Sequence, residues 1–67
     1  MMKLIINGED RTFDEAPTIE RLLETKGLGQ APCAVEVNSK LIPKRKHAHH
    51  RLREGDVLEI VSLVGGG

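Results

Sequence analysis

Hydrophobic residues recur at alternate positions in three stretches of the 67-residue chain and at helical spacing in one. Met2, Leu4 and Ile6 fall on one phase of the opening stretch, with Lys3, Ile5 and Asn7 on the other, which predicts a strand. Asn7 and Gly8 both tolerate positive φ, as a tight hairpin requires. A second short strand through Arg11, Thr12 and Phe13 is therefore expected to return antiparallel. The acidic, proline-containing stretch that follows breaks the alternation. Thr18 is placed to cap a helix, Glu20 puts negative charge in its first turn, and Ile19, Leu22 and Leu23 form one apolar stripe. Gly27 followed by Leu28 reads as a glycine C-cap with its trailing apolar contact, bounding the helix at 18–26.

Alternation resumes with Cys33, Val35 and Val37 against Ala34, Glu36 and Asn38. Asn38 and Ser39 can turn the chain into a short strand at Leu41 and Ile42, which Pro43 limits. A basic connection over 44–53 leads to the turn residues Glu54, Gly55 and Asp56. The last strand is apolar on both phases: Leu58, Ile60 and Val64 on one, Val57, Val61 and Leu63 on the other. The order β-β-α-β-β-β has one helix to cover one face of a sheet. It predicts a two-layer α+β domain of β-grasp type, a mixed four- to five-stranded sheet packed on one main helix. A strand apolar on both phases suits the sheet's centre. The face without a helix should then expose Ile5, Val61 and Leu63 as an apolar patch, the kind of surface that marks a partner site.

Composition narrows the function classes. A chain this short buries only about 60% of the surface it exposes when unfolded, so an enclosed active-site cavity is not expected. Ten Lys and Arg balance ten Asp and Glu, which gives no overall attraction to nucleic acid or membrane. Phe13 is the one aromatic residue, too few for a base-stacking surface. One cysteine allows no internal disulfide and no thiolate metal cluster. No stretch approaches the ~20 apolar residues that span a bilayer, and the opening apolar run is too short for a signal peptide. A cytoplasmic, reducing location is expected. No nucleophile–base pair, P-loop or dinucleotide fingerprint is present, so the protein is not expected to be an enzyme or to bind ATP itself.

The sequence ends Leu63, Val64, Gly65, Gly66, Gly67. Glycines lose the most backbone entropy on ordering and bring nothing to pack, so 65–67 read as a flexible tail behind a single domain at 1–64. With Val35, Val37 and Asn38, the Gly55–Asp56 turn and this glycine ending, nearly the whole chain resembles the ubiquitin-like sulfur carriers, and among them the thiamine-biosynthesis sulfur carrier (ThiS) family. The resemblance implies a carrier and not a catalyst. The Gly67 carboxylate would be adenylated by a ubiquitin-activator-like adenylyltransferase using ATP. A sulfur donor such as a cysteine desulfurase would convert it to a thiocarboxylate, and thiazole synthase would take the sulfur. Gly65 and Gly66 would thread the partner's channel, where the absence of Cβ avoids clashes. Gly65 is one glycine more than a diglycine ending requires. The carrier alone is expected to be monomeric. A small subunit of molybdopterin synthase and a tRNA-thiolation carrier share the diglycine ending. An RNA-binding β-grasp (TGS-like) module shares part of the pattern, and a modifier conjugated through Gly67 is a further alternative.

Two other features carry potential chemistry. Cys33 offers a side-chain persulfide route, but its phase with Val35 and Val37 places it in the core. The run from Lys44 to Arg53 holds five Lys and Arg and three His. His47 and His50 are spaced for one helical face, yet no acidic or thiol ligand lies nearby, so no metal site is assigned. The run reads by default as a solvated connection, with docking on an acidic partner or phosphate contacts as functional alternatives.

Overall fold

Two asparagines in left-handed backbone turn the two hairpins of this domain. Asn7 (φ 50°) and Gly8 (φ 83°) join β1 (Met2–Ile6) to β2 (Glu9–Phe13). Asn38 (φ 52°) and Ser39 (φ 71°) join β3 (Cys33–Val37) to β4 (Lys40–Ile42). Positive φ at both central residues gives each turn the twist of its flanking strands. The second and fourth strands run longer than their apolar residues suggest, because backbone pairing continues from each turn: Ile6 pairs with Glu9, and Val37 with Lys40. The computed structural model describes residues 1–63. Val64 and the expected tail Gly65, Gly66 and Gly67 lie outside the described residues.

The five strands lie in the order β2-β1-β5-β3-β4, with β5 (Val57–Ser62) at the centre as expected. It runs parallel to β1, with Ile5 opposite Val57, and antiparallel to β3, with Cys33 opposite Ser62 and Val37 opposite Leu58. A single helix, α1 (Ile19–Thr25), covers one face, giving the mixed β-grasp sheet that the apolar pattern predicts. Between helix and sheet lie Met2, Leu4, Ile6, Val35, Val37, Leu58 and Ile60 from the strands, and Ile19, Leu22 and Leu23 from the helix. Full burial of each large side chain contributes about 1.5–3 kcal/mol.

At seven residues α1 is too short to persist alone, so its ends matter. The Thr18 side chain accepts from the Arg21 amide at 3.1 Å. At the other end Gly27 (φ 77°) reverses the chain, its amide donating to Glu24 O and that of Leu28 to Leu23 O, a Schellman closure. The remaining free amides at the helix start find partners in the basic connection. The Ile19 amide donates to His50 O and the Glu20 amide to His47 O, each at 3.0 Å.

That connection is therefore not the merely solvated segment expected. It forms one 3-10 turn (Lys44–Lys46), then folds across the helix start. Leu52 is buried in the core, and its amide donates to Pro17 O. His47 is only 6% exposed, and its Nε2 donates to Ile42 O at 3.0 Å. Arg51 reaches back to Ala16 O at 2.6 Å. The run looks hydrophilic because its cations point outward while its backbone and two side chains do the packing. No helix among the described residues is long and apolar enough to cross a membrane.

Candidate functional site

The expected site residues lie on β5, beside it, or beyond it. Gly65, Gly66 and Gly67 fall outside the described residues, but the point where the chain leaves the sheet is defined. Ser62 still pairs with Cys33, and the Leu63 amide donates to Pro32 O at 2.9 Å. Backbone pairing thus holds the chain to within four residues of Gly67.

A second device steadies this end of β5. The Asn7 side chain bonds both backbone groups of Ile60: Oδ1 accepts from its amide at 2.8 Å and Nδ2 donates to its carbonyl at 3.1 Å. The β1 ladder stops at the turn, and the carboxamide replaces the next peptide group along β5. Asn38 does similar work at the opposite end, accepting from the Val57 amide at 3.0 Å while Nδ2 donates to Asp56 Oδ1 at 3.0 Å. The sequence shows these residues only as turn formers. Their β5 bonds depend on strand order, which local pattern does not carry.

The face without a helix is open, as the single-helix reading requires. Val61 is 56% and Leu63 62% exposed, and Val57 on the same strand phase is 41% exposed. Ile5 is half-buried and lies opposite Val57, four residues along β5 from Val61. That offset is about 13 Å at strand rise. The structure therefore brings Val61 towards Leu63 and Ile5 towards Val57, with Glu59 between the two groups. Glu36 stands directly across from Glu59, and exposed Leu41 across from Glu36. The expected apolar patch is two apolar groups with a pair of carboxylates between them. Like charges facing each other across strands oppose sheet stability, which makes this pair a feature of the surface and not of the fold.

Cys33 is half-buried and packs on the edge of the core. It borders a recess of about 70 Å³ whose other walls include Leu23, Leu28, Lys44 and His47. No group of three or more His, Cys, Asp or Glu residues among the described ones is placed to hold a metal ion.

Known proteins share this arrangement. A model of the ThiS family matches residues 4–67. The thiazole synthase of Paramagnetospirillum magneticum is 46% identical over 66 residues, 98% of this chain but 20% of that protein, so the chain spans about a fifth of its length. The sulfur carrier protein ThiS of Bacillus subtilis is 37% identical over 65 residues, covering 96% of this chain and 98% of the relative. The crystal structure of the thiamine biosynthesis protein ThiS from Geobacter metallireducens aligns with a TM-score of 0.82 at 29% identity, covering 98% of this chain and all of that one. The ubiquitin-like β-grasp, the central β5 and a family match that continues through the last glycine agree with one another, and the chain belongs to the ThiS family.

Proposed function

We propose that this protein is a sulfur carrier for thiazole formation in thiamine biosynthesis, loaded at the carboxylate of Gly67. The observation that carries the reading is the family match running unbroken from β1 to residue 67 on a domain whose central strand leads into that segment. The chemistry divides between carrier and partners. In the adenylyltransferase, a Gly67 carboxylate oxygen attacks the α-phosphorus of ATP and pyrophosphate leaves. The terminal sulfur of a persulfide, supplied by a donor such as a cysteine desulfurase, then attacks the acyl carbon and AMP departs, giving an acyl disulfide. A second thiol of the partner attacks its S–S bond, forming a cysteine disulfide on the partner and releasing the thiocarboxylate. Thiazole synthase accepts that sulfur. The identity shared with a P. magneticum thiazole synthase supports this last pairing, since one chain there combines a matching segment with a synthase name.

The carrier's contribution is positional. Four residues beyond Leu63 span at most about 14 Å, so the adenylating site must lie within that reach of the docked domain. Glycines offer the least width along that path. Val61 and Leu63, beside the exit, form the surface on which a partner would seat the domain, with Ile5 and Val57 further down the same face. The cytoplasm, where ATP and the sulfur donor meet, is the proposed location.

Intact-protein mass spectrometry tests the reading. The chain is incubated with ATP, the activating enzyme of the same genome and a sulfur donor. Replacement of one oxygen by sulfur, localised to Gly67 by fragmentation, is the expected result. A shift localised to Cys33, or no shift with a competent enzyme, would refute it.

A further inference from the structure

The basic side chains of this protein divide in how they are used. In the first half, Lys3, Arg11 and Arg21 each hold a carboxylate, at 3.8, 2.8 and 3.2 Å, and Lys26 alone holds none among the described residues. In the second half none of Lys40, Lys44, Arg45, Lys46, Arg51 and Arg53 lies within ion-pair distance of a carboxylate among the described residues. Arg51 donates to the Ala16 carbonyl, and exposed cations without a carboxylate partner cost little in water, so the fold does not explain the imbalance.

Several of these cations converge. Lys40, Arg51 and Arg53, with His49 and His50, line one open groove of about 610 Å³. Asp56 also borders it, but both its oxygens are committed to the turn: Oδ1 accepts from Asn38 Nδ2 and Oδ2 from the Arg53 amide at 2.9 Å. Its charge offsets the groove's without pairing any cation directly. The groove sits where β3 ends and β5 begins, whereas the tail follows the other end of β5. Residues 57 to 62 separate the two by about 17 Å at strand rise.

We propose that this groove is a second docking site, fitted to an acidic surface of a protein partner, and that it stays accessible while another protein holds the tail. A polyanionic nucleic acid fits it less well. The one aromatic, Phe13, lies outside the groove, the Asp56 carboxylate stands in its lining, and the whole chain is neutral. The occupied tail and the choice of partner proteins for the test rest on the carrier reading; the groove and its charge do not.

The test uses the full chain, the Lys40→Gln/Arg53→Gln double variant, and a chain lacking 65–67. Both substituted side chains are exposed and hold no carboxylate among the described residues, and unchanged circular dichroism and thermal midpoint establish that the variant is folded. Affinity for the purified activating enzyme and for thiazole synthase is measured at low and high salt. Two lost surface ion pairs should weaken binding to at least one of them by roughly two- to thirtyfold at low salt, with the difference shrinking at high salt. The same difference should persist in the tail-less background, which separates this site from the tail. Equal affinities of wild type and double variant for both proteins would overturn the proposal while leaving the tail reading untouched. A short poly-uridine RNA that binds the wild type tightly and the double variant weakly would overturn it in favour of a nucleic-acid site. A groove effect that is present while the mass-spectrometric assay with a competent activating enzyme finds no sulfur at Gly67 would retain the groove and remove the carrier reading.

Discussion

Asn7 offers the sharpest test of how the exit end of β5 is held. Its side chain makes two hydrogen bonds to Ile60, and its backbone sits at φ 50°. Asn7→Gly keeps the left-handed turn without strain and removes only the carboxamide. Two part-buried hydrogen bonds at about 0.5–1.5 kcal/mol each put the loss at roughly 1–3 kcal/mol. Asn7→Ala removes the same bonds and adds a Cβ in left-handed backbone, another ~1–2 kcal/mol. Asn7→Asp keeps the acceptor for the Ile60 amide but sets a carboxylate against its carbonyl, so it should lose at least as much as Gly. A 67-residue domain has only roughly 3–10 kcal/mol in total at the usual stability per residue. Urea unfolding read at constant m-value should therefore order the variants wild type, then Gly, then Ala. Amide exchange should accelerate at the end of β5 before it does in the helix. An Asn7→Gly midpoint equal to wild type would show that the clamp contributes nothing net. Ala no worse than Gly would refute the backbone half of the reasoning.

The other predictions concern separate parts of the molecule. Leu52→Ala should cost about 2–5 kcal/mol in denaturant unfolding, whereas Leu41→Ala, at a site 65% exposed, should leave the midpoint unmoved. Equal effects would mean that the basic connection is not anchored as described. Glu59→Gln relieves the carboxylate facing it on Glu36 and should raise stability by about 0.2–0.5 kcal/mol; a lower thermal midpoint would contradict the cross-strand repulsion. Deleting Gly67, or Gly66→Leu, should abolish sulfur loading while leaving the circular dichroism unchanged, and an undiminished adenylation rate would sink the tail assignment. Cys33→Ser should load sulfur as well as wild type, judged by the same mass shift.

Local pattern carried the elements well because each has a local cause. Met2, Leu4 and Ile6 alternate because one face of β1 is buried, and the Asn7–Gly8 turn announces itself by residue type. The centrality of β5 was legible because Val57, Val61 and Leu63 make its second phase apolar too. What escaped was everything that depends on residues distant in sequence. His47 and Leu52 sit in a run dominated by charge, and their burial follows from the helix start needing the carbonyls of that same run. The facing of Glu36 and Glu59 is a register property, visible only once β3 and β5 are paired. Hydrophobicity alone groups Ile5 with Val61, whereas parallel pairing places it beside Val57. The tail residues are marked by their chemistry and by family likeness, not by packing.

The position of β5 also sets how the domain answers to mechanical load. A partner drawing on the segment beyond Leu63 pulls along the axis of a strand bonded on both sides, to β1 and to β3. Ladder hydrogen bonds lie across that direction, so the force shears many of them together instead of unzipping them singly. A tail attached to β2 or β4, at either rim, would peel its strand away one bond at a time. Load applied at this end is thus borne chiefly by the five-residue pairing of β5 with β3, backed by the shorter pairing with β1.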